Sequence, residues 1–127
     1  MMIVFRVDAS GVVGFGHLSR CINLAEVLRS RGIEVLFICR EDEAKSFRAL
    51  EDRLFATALL PILAVGKTVN QQEDAQQTIQ ALQGKRPDWL VVDSYQLSKD
   101  WEQLLRPHVA KFLSLRIFPI GSMTVTC

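Results

Sequence analysis

Between residues 8 and 17 the chain reads Asp8-Ala-Ser-Gly-Val-Val-Gly-Phe-Gly-His17, a run whose residue types could hold an anion and move a proton. Glycines at 11, 14 and 16 let a backbone turn sharply and approach a ligand closely, and the N–H groups at the start of a following helix favour negative charge. His17 is the group that could handle the proton. An imidazole in the first turn of a helix is held neutral by the helix dipole, which suits a general base near pH 7. The alternative is a histidine that only caps or packs the helix start, and the two readings stand level. Asp8 and Ser10 either close an Asx-type turn or reach the ligand. Cys21, four residues beyond His17, could pair with it on one helix face, but it also belongs to that helix's apolar stripe and reads as a core thiol.

Known phosphate motifs fit this run poorly. It lacks the Gly-Lys-Ser/Thr ending of a P-loop, and its glycine order is not G-x-G-x-x-G. The second apolar run ends in Cys39-Arg40 rather than in an acid that could hold a ribose. Elsewhere, Tyr95 follows Asp93 and offers a hydroxyl or a ring to a sugar. His108, Trp89 and Trp101 read as structural, and Arg40 to Lys45 as a solvated helix start. No histidine, cysteine and carboxylate cluster has metal-ligand spacing, so neither a metal nor another cofactor is expected.

Short apolar runs alternate with stretches of helical period, the pattern of an α/β fold with a doubly wound, mostly parallel sheet. Strands are expected at Met2–Val7, Val35–Cys39, Pro61–Val65, Trp89–Val92 and Val109–Leu115. Helices are expected from His17 to a stop at Gly32, over Asp42–Leu54, over Gln71–Leu82 with a stop at Gly84, and over Lys99–Leu105. Ala9–Gly16 is expected to be a loop. Ligands of such sheets bind outside the carboxyl ends of the strands, where strand order reverses. That rule singles out the segments after Asp8 and after Asp93.

Composition narrows the function classes. With 127 residues, 49% hydrophobic and 23% charged, the chain is long enough for one self-supporting core. Its net charge of +1 argues against nucleic-acid and anionic-membrane partners, which select basic patches. Three cysteines, Cys21, Cys39 and Cys127, are an odd number, and the first two sit in core-like segments, as in a reducing compartment. Arg6 and Asp8 interrupt any signal-peptide core. The run Ala56–Gly66 is broken by Pro61 and is about half of the ~20 residues that span a bilayer. A soluble, cytoplasmic protein is expected, of open oligomeric state.

Three segments together carry a family resemblance. Arg6-Val-Asp-Ala-Ser10, Gly14-Phe-Gly-His17 and Arg20-Cys-Ile-Asn-Leu-Ala25 closely resemble the UDP-2,4-diacetamido-2,4,6-trideoxy-β-L-altropyranose hydrolases of pseudaminic acid biosynthesis. Asp93-Ser-Tyr95, followed by Trp101-Glu102, looks like that family's second signature. The resemblance runs from Met2 to about Lys111. It implies the Rossmann-like N-terminal half of a glycosyltransferase-B-like enzyme, which adds water to the anomeric carbon of a UDP-sugar with inversion and without a metal. The free sugar would feed a nonulosonic acid for surface glycans or flagellin. By the same resemblance His17 is the base, Gly14 and Gly16 shape the cleft, Tyr95 contacts the sugar, and Asp8, Ser10 and Arg20 belong to the substrate site.

The chain departs from the family after residue 111, and the C-terminal, UDP-binding half is expected to be absent. The tail at 112–127 is atypical, and its final segment, Arg116 to Cys127, lacks the aspartate-rich continuation that the family shows after its fifth strand. Synonymous codons for Pro119 to Thr126, read one frame over, give Asp-Arg-Gln-His-Asp-Cys-Asp, the kind of pattern the family shows there. A frameshifted tail is the resulting expectation, with the chain alone inactive for want of remote binding energy. The alternatives are a non-catalytic sugar- or nucleotide-binding module and a related glycosyltransferase.

Overall fold

The computed structural model describes residues 1–7, 11–40, 53–61, 70–93, 97–114 and 124–126, with the backbone alone at 11–18, 93 and 124–126. Element order is β1 (Met2–Val7), α1 (Gly11–Ser30), β2 (Glu34–Arg40), β3 (Ala56–Leu60), α2 (Gln71–Ala81), β4 (Trp89–Asp93), α3 (Lys99–Leu105), a 3-10 turn (Arg106–His108), β5 (Lys111–Ser114) and β6 (Thr124–Thr126). The strands form one sheet in the order β3-β2-β1-β4-β5-β6. The first five are parallel, and β6 pairs with β5 antiparallel. This is a Rossmann-like α/β domain.

Side-chain alternation along the strands builds one core on each face of the sheet. Ile3, Phe5 and Val7 of β1 with Val35, Phe37 and Cys39 of β2 pack against Cys21, Ile22 and Ala25 of α1. Phe37 is the hub of that core, stacked on Phe5 with centroids 5.0 Å apart and edge-on to Phe55 at 5.1 Å. On the other face Val4, Ile38, Leu90, Val92 and Phe112 meet Ala75 and Leu82 from α2 and its end, and Trp101 and Leu105 of α3. Strands buried on both faces explain the nearly continuous apolar runs.

Several boundaries differ from the sequence expectations. The third strand of the sheet is Ala56–Leu60, and Pro61, which has no N–H to give a ladder, stands just past its end; the rest of the strand expected at Pro61–Val65 lies outside the described residues. Helix α1 begins at Gly11, so 11–16 are helical rather than loop; glycine's helix penalty of about 1 kcal/mol per residue is a weak preference that a long helix can override. The fifth strand begins at Lys111 rather than Val109, two residues after the turn of Arg106–His108, and its expected last residue, Leu115, lies outside the described residues. His108 is exposed on that turn. The first residues of the expected tail, Phe112–Ser114, complete β5, and Phe112 is buried in the core. The helix expected at 42–54 falls largely outside the described residues. Helices α2 and α3 match their expected spans, and Gly84 follows α2 at φ +78°. No helix among the described residues is long and apolar enough to cross a membrane.

Candidate functional site

Strand order makes β1 the pivot of the sheet. The chain steps from β1 outward through β2 to β3, then returns to the other side of β1 for β4 and β5. The reversal point therefore lies between β1 and β4, and sheets of this kind bind ligands there, at the carboxyl ends of the strands. The last residues of the two strands, Val7 and Asp93, are register partners. Adjacent strands lie about 4.8 Å apart, so the two strand ends are neighbours. The segments singled out from the sequence begin next to these ends in the chain and lie, at 8–10 and 94–96, outside the described residues.

Gly14, Gly16 and His17 lie on the backbone of α1, whose start follows β1 after three residues. His17 is in the second turn rather than the first, a correction with a chemical consequence: the dipole effect fades beyond the first turn and is not what would keep this imidazole neutral. Arg20 is exposed further along α1. Asp8, Ser10 and Tyr95 lie outside the described residues. Cys21 and Cys39 are buried and in no disulfide, as a core role requires. Among the described residues, no group of three or more His, Cys, Asp and Glu could hold a metal ion.

One charged cluster at the same rim was not anticipated. Arg6 is fully buried on the β1 face opposite α1, and its Nη2 donates to Asp74 Oδ2 at 2.7 Å, its Nε to Oδ1 at 3.4 Å. Arg40, expected to be solvated, is 8% exposed and donates to the same Asp74 Oδ2 and to Gln77 Oε1 at 3.0 Å. As the last residue of β2 it shares a face with Leu36 and Ile38, which turns it inward toward α2. Asp74 Oδ1 also accepts from Trp101 Nε1 at 2.9 Å and from Thr78 Oγ1 at 3.3 Å. Burial by itself would raise the Asp74 pKa; the charges of Arg6 and Arg40, with their hydrogen bonds, outweigh it and hold the carboxyl below its ordinary value.

No family model, curated protein or solved structure matches this chain. The site is therefore characterised by its own geometry. That geometry was partly legible: an arginine at an inward position of an otherwise apolar strand demands a buried counter-charge. Asp74 shares the buried stripe of α2 with Ala75 and Thr78, and an acid on such a stripe is the matching signal.

A second feature lies between the start of α2 and α3. It is a cleft of about 510 Å³ lined by Asn70, Gln71, Gln72, Asp100, Gln103 and Leu104. Asn70 Oδ1 caps α2 by accepting from Glu73 N at 3.0 Å. Gln71 Oε1 accepts from Ser98 N at 2.9 Å, which ties the two helix starts together. Carboxamides beside one carboxylate suit a neutral, hydrogen-bonding ligand better than an anion.

Proposed function

We propose that this chain is the sugar-side, Rossmann-like half of a glycosyltransferase-B-like hydrolase, acting in the cytoplasm on a UDP-linked diacetamido-trideoxy sugar and feeding pseudaminic acid biosynthesis. The observation that carries the reading is the pairing of Val7 with Asp93. It brings the ends of the two resemblance-bearing strands together at the reversal point, where a doubly wound sheet binds its ligand.

In this reading the sugar sits over the carboxyl ends of β1 and β4. His17 takes a proton from water as the water oxygen bonds to the anomeric carbon. The bond from that carbon to the UDP oxygen breaks on the opposite face, which inverts the centre and releases UDP. UDP is a stable anion, so a base on one face serves without the paired carboxylates of common glycosidases. Asp8, Ser10, Arg20 and Tyr95 are assigned to holding the sugar, Gly14 and Gly16 to shaping the cleft.

Two experiments test this. DNA sequencing from the codon of Lys111 onward shows whether another frame continues into a second α/β domain. If it does, the restored enzyme is expected to release UDP from the diacetamido sugar nucleotide, and His17→Ala is expected to abolish release while leaving the circular dichroism spectrum unchanged. An unaltered rate would reject His17 as the base. The second reading, a non-catalytic sugar-binding module, is favoured by the carboxamide-lined cleft. It predicts binding without turnover, lost on Gln72→Ala with Gln103→Ala and indifferent to His17.

A further inference from the structure

We propose that Asp74 is the positioning residue of the ligand-binding rim, a single carboxylate that sets where β1, β2 and β3 end. Each strand exit is tied to it. Arg6, anchored on Asp74, donates from its Nη1 to the carbonyl of Val7 at 3.3 Å, the last residue of β1 before Asp8. Arg40 is itself the end of β2, and while its Nη2 is held by Asp74 its Nη1 donates to the carbonyl of Pro61 at 2.7 Å, just beyond β3. A guanidinium is planar and presents its donors in a fixed fork. Anchoring one edge of the fork therefore fixes the place where the other edge meets a backbone carbonyl.

Asp74 is in turn well placed to serve as the anchor. Its backbone N–H donates to Asn70 O at 2.9 Å in the first turn of α2, and the indole of fully buried Trp101 holds Oδ1 from α3. Two helices thus fix one carboxylate, and the carboxylate fixes three strand ends through two arginines. Buried ion pairs add little net stability over apolar packing of the same volume, whereas their directionality specifies geometry. The inference rests on the proposed function only in taking the β1 exit as the place where substrate sits.

Amide hydrogen exchange of the 127-residue chain tests it without requiring turnover. Asp74→Asn is compared with Leu105→Ala, a core deletion outside the cluster, at denaturant concentrations that equalise global stability. The expected result is exchange at Val7, Arg40 and Leu60 faster by about tenfold in Asp74→Asn than in the matched control, with Val91 and Phe112 alike in both. Asp74→Glu, which keeps the charge, is expected to recover part of the protection. Identical exchange patterns in the two variants would overturn the proposal and leave Asp74 a stabilising residue only. Should Asp74→Asn not fold, Arg40→Lys gives an independent reading. The ammonium keeps the charge but loses the fork, so Leu60 is expected to lose protection while Val7 keeps it; equal loss at both, or at neither, would also overturn it. Failure of UDP-sugar hydrolysis would leave these outcomes unchanged, so the two ideas fail separately.

Discussion

Val7 and Asp93 are register partners at the carboxyl ends of neighbouring parallel strands, and this pairing places the ends of two distant stretches of sequence side by side. A ligand bound there perturbs both strand ends together. Titration with the diacetamido UDP-sugar, followed by amide chemical shifts, is expected to move Val7, Gly11 and Asp93 while leaving Glu34 and Lys111, at the opposite end of the sheet, in place. Shifts confined to Gln72, Asp100 and Gln103 would instead locate the ligand in the cleft between α2 and α3.

Acid should dismantle the rim through Asp74. Its folded-state pKa is depressed, below the unfolded value of about 3.9. The stabilisation from this group is therefore complete above about pH 4 and is lost as the pH falls through the folded-state pKa. Urea midpoints are expected to drop across that interval in the native protein, and Asp74→Asn should flatten this part of the profile. Near neutral pH, Asp74→Ala is expected to cost about 3 to 5 kcal/mol, since it strands two buried guanidinium groups.

Trp101→Phe isolates one arm of the same cluster. The ring stays in the core while the indole donor to Asp74 Oδ1 is lost. A hydrogen bond to a charged group is worth about 1.5 to 3 kcal/mol, and a loss in that range is expected in thermal or urea unfolding. Removing a donor from the carboxylate also raises the Asp74 pKa, so the acid limb should move to higher pH. A stability loss with no movement of that limb would assign the effect to packing alone.

The elements that were legible from the sequence are those whose pattern and punctuation agree. Over Gln71–Leu82 a polar helix with a buried stripe ends near Gly84 at φ +78°, and over Met2–Val7 a buried strand ends where polar residues begin. The strand at Ala56–Leu60 was missed because it and Ile62–Val65 are both short apolar runs. Its pairing opposite Leu36–Arg40 is a long-range fact that local pattern does not carry. Arg40 was misread because a charge beside other charges looks solvated; its burial depends on Asp74, 34 positions away, a long-range pairing that no local pattern encodes. That the strand order reverses was expected as a rule of the fold, and the structure places the reversal between β1 and β4.

The glycines before His17 offer a test in which sequence preference and structure disagree in sign. As a loop, residues 11–16 would use glycine for backbone angles that other residues resist, and alanine there would destabilise. In the structure Gly14 and Gly16 lie in α1, where alanine loses less entropy on folding than glycine. Gly14→Ala and Gly16→Ala are accordingly expected to stabilise by about 0.5 to 1 kcal/mol each, measured as a raised urea midpoint with unchanged slope. Gly84→Ala supplies the control of opposite sign. Its site is at φ +78° with nothing within 4 Å of the added Cβ, so any loss there reports backbone strain rather than crowding. If the glycines also let substrate approach the helix backbone closely, the two stabilised variants should bind the UDP-sugar more weakly than the native chain. Stability and binding would then move in opposite directions at the same atoms, as expected where a glycine is kept for a ligand rather than for the fold.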